Sequence, residues 1–384
     1  MPMLLYFGAS GFLSFKNWQE MFLVPVSGAR LKGTKYEDNF HLNVKNRPMK
    51  SVLLFGDNAS GKTNWVYALD RFLFIIRNGL HVSSREPFNY RSSSIRFMIS
   101  VCNGDGREYE YCLEYDREGV VLYESLKQDD KVIFTFADEI LQLADHVDKR
   151  KQIQELFSQK STDTLLNKLK DWLSDSITEF NHLASQILVD AEKPINWEMK
   201  FLPFMIIEEY EQSIMAEYSD EVLRILQFLD PTIHNISFEK VIDKDGETKY
   251  QMYVMRLDGD KNEKFSITSE SQGIKKMIYL LPQLLQIYEG KTVVIDELDS
   301  SIGTKSLIRI FNTIVNSPTN TKGQLIVTSH NLNLLNLDMF HEAQLKVFSK
   351  GDDLGSVINS IDQYDYRSIK KNLDEIYLRG GFAS

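Results

Sequence analysis

FGDNASGKTN, residues 55–64, is the stretch on which the fold turns. It closes an apolar run, SVLLFG at 51–56, with the spacing Gly-x-x-x-x-Gly-Lys-Thr. Glycine at both ends lets the backbone turn sharply and aim several N–H groups into one concavity, which can then hold a polyphosphate. Gly56 and Gly61 fill those posts, with Asp57, Asn58, Ala59 and Ser60 between them and Asn64 just beyond. Lys62 is expected to reach the β and γ phosphates as a point charge. Thr63 is expected to offer its hydroxyl to Mg²⁺ at the start of the following helix. The flanks agree: SVLLFG reads as a buried strand and KTNWVYALDRFLFIIRNG as a helix. That helix places Val66, Leu69, Phe72 and Leu73 on one face, with Gly79 near its end.

The 384 residues suffice for a large core, and 43% hydrophobic with 26% charged residues is the composition of an ordinary soluble globular protein. A formal net charge of −10 argues against a surface built mainly to grip nucleic acid, although a local basic groove fits within that total. The densest basic cluster, DKRKQ at 148–152, reads as a solvated helix face. Cys102 and Cys112 lie on two strand-like runs either side of NGDG, and such sparse use suits a reducing compartment and buried thiols. The seven histidines form no zinc pattern. The opening MPMLLYFGASGFLSF lacks the basic start and long apolar core of a signal peptide, and no apolar run reaches bilayer length. A cytoplasmic location with no membrane partner is expected.

Residues 1–137 are mostly strand-like around the phosphate-loop helix. From 138 to 231 helical spacing dominates, with Leu165, Leu169, Trp172, Ile177, Phe180, Ala184 and Ile187 recurring every three or four positions. Pro194 breaks this segment, and Pro231 follows the helix SDEVLRILQFLD. Strands return with ISFEKVID, a KDGE turn, KYQMYVMRL and KFSIT. Helix and strand then alternate to the ending YLRGGFAS. The expected class is α/β: one nucleotide-binding domain split between 1–137 and 232–384, with a helical lobe, 138–231, inserted in it.

The first motif demands others. A phosphate-loop ATPase needs a second strand ending in an acidic residue for the Mg²⁺ shell. TVVIDE supplies Asp296, and Glu297 beside it is placed to orient or deprotonate an attacking water. A third strand, LIVTSH, ends at His330, able to hydrogen-bond a γ-phosphate from the far side. All three motifs end strands, where open α/β sheets bind ligands.

GDNASGKTN, SESQGIKK, VVIDELDSSIG and LIVTSHNLNLL occur in the order found in ABC-type ATPases, which the chain resembles over nearly its whole length. More narrowly it is similar to the phage-defence and abortive-infection ATPases: the ATPase subunit of the PARIS system, the RloA-like proteins and the ATPase part of the OLD nucleases. The resemblance implies an ABC-type P-loop ATPase head, with an antiparallel β lobe and an inserted helical lobe, that slowly hydrolyses ATP with Mg²⁺. Gly56 to Thr63 resemble its Walker A loop, Asp296 the Walker B aspartate, Glu297 the catalytic glutamate, His330 the switch histidine and Asp299 the D-loop. Ser271 and Gly273 match the serine and second glycine of the ABC signature, which in this family meets the ATP of another subunit. The signature departs from the family pattern: Gln272 stands at its first glycine and Ile274 at its last position. Leu13 stands where relatives often have arginine.

The resemblance implies a head-to-tail dimer or higher oligomer around ATP, an effector protein such as a nuclease, and a phage-encoded trigger. Fifty-four residues follow His330, too few for the Toprim nuclease domain of the OLD proteins, so the destructive activity is expected in a separate protein. Two alternatives stand beside this reading. One is a DNA-repair ATPase of the RecF or SMC-like kind that clamps DNA in its ATP-bound dimer. The other is a nucleotide-binding structural subunit that does not hydrolyse.

Overall fold

The computed structural model describes every residue except 1, 27, 84, 145–149, 191–205, 243–245, 301, 365–372 and 379–384. Pro194, the start of the DKRKQ cluster, the first half of the KDGE turn and most of the YLRGGFAS ending lie outside the described residues. The strands, in chain order, begin with β1 (Met3–Ser10), β2 (Gln19–Phe22), β3 (Ser51–Gly56), β4 (Ser94–Cys102), β5 (Glu108–Asp116) and β6 (Val121–Gln128). They continue with β7 (Lys131–Ala137), β8 (Ile140–Leu143), β9 (Ile187–Asp190), β10 (Ile206–Ile207), β11 (Ile233–Ile242) and β12 (Thr248–Asp258). The last are β13 (Lys261–Ser266), β14 (Thr292–Ile295), β15 (Gln324–Ser329), β16 (Leu345–Lys350) and β17 (Ser356–Ser360).

Three sheets result. One is antiparallel in the order β2-β1-β4-β5-β6-β7-β8. A second centres on β12, with β11 along one edge and β10 and β13 in turn along the other. The third runs β17-β16-β3-β15-β14-β9 and is parallel apart from the edge strand β17. Its central strands β3, β14 and β15 are buried along their whole length and carry continuous apolar runs because both faces are covered, and alternate residues serve different cores. Val52 and Leu54 of β3, Val294 of β14 and Ile326 of β15 join the core shared with the antiparallel sheet. Leu53, Phe55, Val293, Ile295, Leu325 and Val327 face the other core, with the helices Gln272–Leu284 and Thr304–Ile310.

The helix Lys62–Asn78 follows the phosphate loop and buries the expected face: Val66, Leu69, Phe72 and Leu73 are fully enclosed. Each such side chain contributes about 1.5–3 kcal/mol on burial. Gly79 ends the helix at φ 83°, its N–H donating to Ile75 O. Phe72 stacks between Phe97 and Tyr111 at centroid distances of 5.0 and 5.5 Å, tying this helix to the antiparallel sheet. Cys102 and Cys112 are buried free thiols on β4 and β5.

The segment 138–231, read from its spacing as a helical lobe, holds strands as well as helices. It contains the helices Arg150–Phe157, Leu165–Lys168, Ser174–Ser185, Glu209–Glu217 and Ser219–Leu229, but also strands that complete other sheets. β8 is the edge of the antiparallel sheet, and β9 pairs in parallel with β14. Ile187 therefore belongs to a strand, and Trp172 is 39% exposed although the spacing placed it in the stripe. The run Ile187–Asp190 is too short to show a period, so the preceding helical spacing absorbs it; pairing with Thr292–Ile295 decides its state.

Glu124 of β6 is fully buried and joins this segment to the antiparallel sheet. Its carboxylate accepts from Leu165 N and Leu166 N at 2.6 and 2.7 Å and from Tyr111 Oη at 3.0 Å. Burial pushes its pKa up to about 7 even against these donors. All three partners are donors, so an amide in its place would aim its own N–H₂ at one of them. Glu124→Gln is expected to destabilise the fold by about 2–4 kcal/mol, read as a lowered urea midpoint at pH 8. An unchanged midpoint would contradict this role for the carboxylate.

Candidate functional site

The parallel sheet assembles the site at the C-terminal ends of β3, β14 and β15. β15 lies between the other two, so Thr328, Ser329 and His330 stand between the glycine loop and Asp296. The loop itself has Gly56 at φ 157°, Ala59 at φ 62° and Gly61 at φ 113°. Gly61 is held at close approach: an added Cβ would meet Ser356 Oγ at 2.1 Å. The sharp turn thus requires glycine both for its torsions and for its neighbours.

Lys62 is buried, and its Nζ donates to Gly56 O at 2.7 Å and Asp57 O at 3.0 Å, with His330 Nδ1 at 3.3 Å. Burial pushes its pKa down to about 8, while Asp296, Glu297, Asp57 and Asp299 pull it upward. An incoming polyanion would meet a desolvated ammonium facing into the loop. Ser60 Oγ, also buried, has no hydrogen-bond partner among the described residues. A cleft of about 320 Å³ opens over the loop, lined by Asn58, Ala59, Gly61, Lys62, Thr63, Asn64, Glu297, His330 and Lys350.

The acidic edge is tightly fixed. Asp296 is buried and accepts from Thr328 Oγ1, whose oxygen in turn accepts from Glu297 N at 2.7 Å. Glu297 occupies the left-handed region at φ 51°. Its carbonyl accepts from the buried Lys276 Nζ at 2.8 Å, so both sides of this strained residue are held by hydrogen bonds. Glu297 Oε1 lies 3.9 Å from His330 Nε2. Asp299 Oδ2 accepts from Ser329 Oγ at 2.7 Å and from His330 N at 3.1 Å, fixing the turn that carries the histidine.

Ser271 and Gly273 stand apart from the cleft lining. Ser271 is exposed and N-caps the helix Gln272–Leu284, its Oγ accepting from Ile274 N. The same helix supplies Lys276, so one rigid element joins the exposed serine to the Glu297 peptide. If the cleft hydrolyses ATP as the sequence reading expects, Lys276→Met should lower turnover about tenfold or more while leaving ATP affinity within about threefold, because it frees the Glu297 peptide. Equal turnover in both proteins would remove Lys276 from that role.

Residue-by-residue reading missed the braces of the loop, which come from distant parts of the chain. Ser356 Oγ donates to Ser60 O at 2.6 Å and contacts Ser14 Oγ at 2.7 Å, while Asn64 Nδ2 donates to Ser14 Oγ at 2.6 Å. Tyr377, on the helix Leu373–Leu378, donates to Asp57 Oδ1 at 2.7 Å and sets its ring edge-on to Phe55. The loop motif does not mark Ser14, Ser356 or Tyr377.

Comparison places these features in a wider group. Residues 51–336 match the family described as "AAA domain, putative AbiEii toxin, Type IV TA system", a span that includes the loop, Asp296, Glu297 and His330. The chain belongs to that family. No curated protein matches it by sequence. Among solved structures it is similar to an Smc head bound to the C-terminal winged-helix domain of ScpA, at 14% identity and TM-score 0.50, over 96% of this chain and 99% of that one. It also matches the SMC head domain from Thermotoga maritima at 14% identity and TM-score 0.42, over 93% and 98% of the two chains. A third match is an Smc head with an extended coiled coil, bound to the C-terminal domain of ScpA derived from Pyrococcus furiosus. There the identity is 13%, the TM-score 0.45 and the coverage 98% and 100%. The fold is that of an ABC-type P-loop ATPase head. Among the described residues, no helix is long and apolar enough to cross a membrane.

Proposed function

We propose that this member of the family binds and slowly hydrolyses ATP in the cleft, and that its nucleotide state locks and unlocks an assembly controlling a separate effector in antiphage defence. The observation that carries the reading is the convergence of Lys62, Asp296, Glu297 and His330 around one glycine loop. The loop N–H groups and Lys62 bind the β and γ phosphates, as the desolvated ammonium and the buried Ser60 hydroxyl favour. Thr63 and Asp296 would hold Mg²⁺, which neutralises phosphate charge when bound. Glu297 orients and deprotonates the attacking water, and His330 hydrogen-bonds the γ-phosphate.

Exposed Ser271 and half-buried Gly273 stand at a helix N-terminus, where partial positive charge favours a phosphate. In this reading they meet the γ-phosphate held by a second copy, so two ATP molecules close a head-to-tail dimer and hydrolysis opens it. The effector is a separate protein, a nuclease by preference, and the trigger is phage-encoded; both rest on the resemblance and on the family's toxin–antitoxin description. The test is phage plating on cells carrying the gene with its neighbours. Protection should vanish with Lys62→Ala, and equal protection by the wild type and that variant would overturn the role of ATP in defence.

A further inference from the structure

We propose that Lys350, at the end of β16, grips the phosphate nearest the nucleoside; the proposal rests on the reading of the cleft as a nucleotide site. In the parallel sheet, β3 runs into the glycine loop with β15 on one side and β16 on the other. The β15 side carries His330 and, one strand further, Asp296 and Glu297. That is where γ-phosphate chemistry belongs, so the α-phosphate, sugar and base lie toward β16.

Phe348 of β16 is in register with Gly56 of β3, which sets Lys350 two residues beyond that register, alongside the start of the loop. Lys350 is exposed and lines the same cleft as Thr63 and Asn64. Its Nζ donates to Leu354 O at 3.2 Å within its own turn, and an ammonium has three donors to give.

The turn between β16 and β17 is fixed against the loop. Gly351 N donates to Gly355 O, and Ser356 N to Ser14 O, each at 2.8 Å. Lys16 Nζ pairs with Asp353 Oδ2 at 2.6 Å, and Ser356 Oγ donates to Ser60 O. The two lysines of the cleft then divide the polyphosphate: Lys62 from beneath at the β and γ positions, Lys350 from the open side at the α position. A compact point charge reads phosphate and not base. Lys350 therefore strengthens binding of nucleoside di- and triphosphates alike.

Calorimetric titration of the full chain with Mg·ATP and Mg·ADP tests this. Lys350→Ala is expected to weaken both nucleotides about tenfold and by the same factor, the scale of one charge-assisted contact, while Lys350→Arg stays within about threefold of wild type. Affinities for both nucleotides within about twofold of wild type in Lys350→Ala would overturn the assignment. So would a loss confined to ATP, which would move the lysine to the γ-phosphate. Failure of the wild type to bind either nucleotide would instead overturn the nucleotide reading itself, which separates the two claims.

Discussion

Replacing Lys62 with alanine is expected to lower Mg·ATP affinity by about two to three orders of magnitude, the cost of leaving a desolvated polyphosphate without its buried cation. The effect is large because Lys62 is buried against the loop and held by Gly56 O and Asp57 O before any ligand arrives. Little further ordering is needed on binding, so most of the electrostatic gain appears as affinity. Burial pushes its pKa down to about 8, with the neighbouring carboxylates Asp296, Glu297, Asp57 and Asp299 pulling it back up. Calorimetric titration of wild type and Lys62→Ala, with thermal midpoints as the control for folding, checks the expectation. Unchanged affinity in a folded variant would remove the lysine, and with it the loop, from nucleotide binding.

The second large effect is expected at Glu297. Glu297→Gln keeps the size and the backbone contacts to Thr328 and Lys276 but removes the carboxylate that can take a proton from water. Turnover should fall about 10²- to 10⁴-fold while ATP affinity stays close to wild type, the pattern of a group acting on the chemical step. Measuring bound nucleotide and released phosphate together separates the two quantities. A variant that hydrolyses normally would assign the general base elsewhere, and turnover in wild type no faster than in the variant would favour the structural subunit that binds without hydrolysing.

Much of the candidate site was legible because its residues stand in short local runs. Gly56, Gly61 and Lys62 fall in one loop, and TVVIDE and LIVTSH each carry their candidate residue at or just beyond a strand end. The spacing could not show that β15 separates β3 from β14, yet this order brings His330 to 3.3 Å from Lys62 and 3.9 Å from Glu297. β9 escaped because four residues are too few to outweigh the helical spacing before them. Ser14, Lys350, Ser356 and Tyr377 escaped for a different reason. Lys350 reaches the cleft and the other three reach its loop from far along the chain, as the Ser14–Ser356 contact across 342 positions illustrates. Such pairings depend on how layers stack and leave no local signature.

Ser271 is exposed at the head of the Gln272–Leu284 helix, where the proposed dimer would meet it, and Lys276 on that helix reaches the Glu297 carbonyl. Under the proposed function, a contact made at Ser271 would be passed to the Glu297 peptide through one rigid element.

The most direct test is the solution mass of wild type and Glu297→Gln, measured with and without Mg·ATP. ATP is expected to drive Glu297→Gln into a stable dimer or larger assembly, wild type to show it only while ATP lasts, and Ser271→Arg in the Glu297→Gln background to block it. A mass that never changes with nucleotide would contradict the ATP-locked assembly and confine any switching to within a fixed particle.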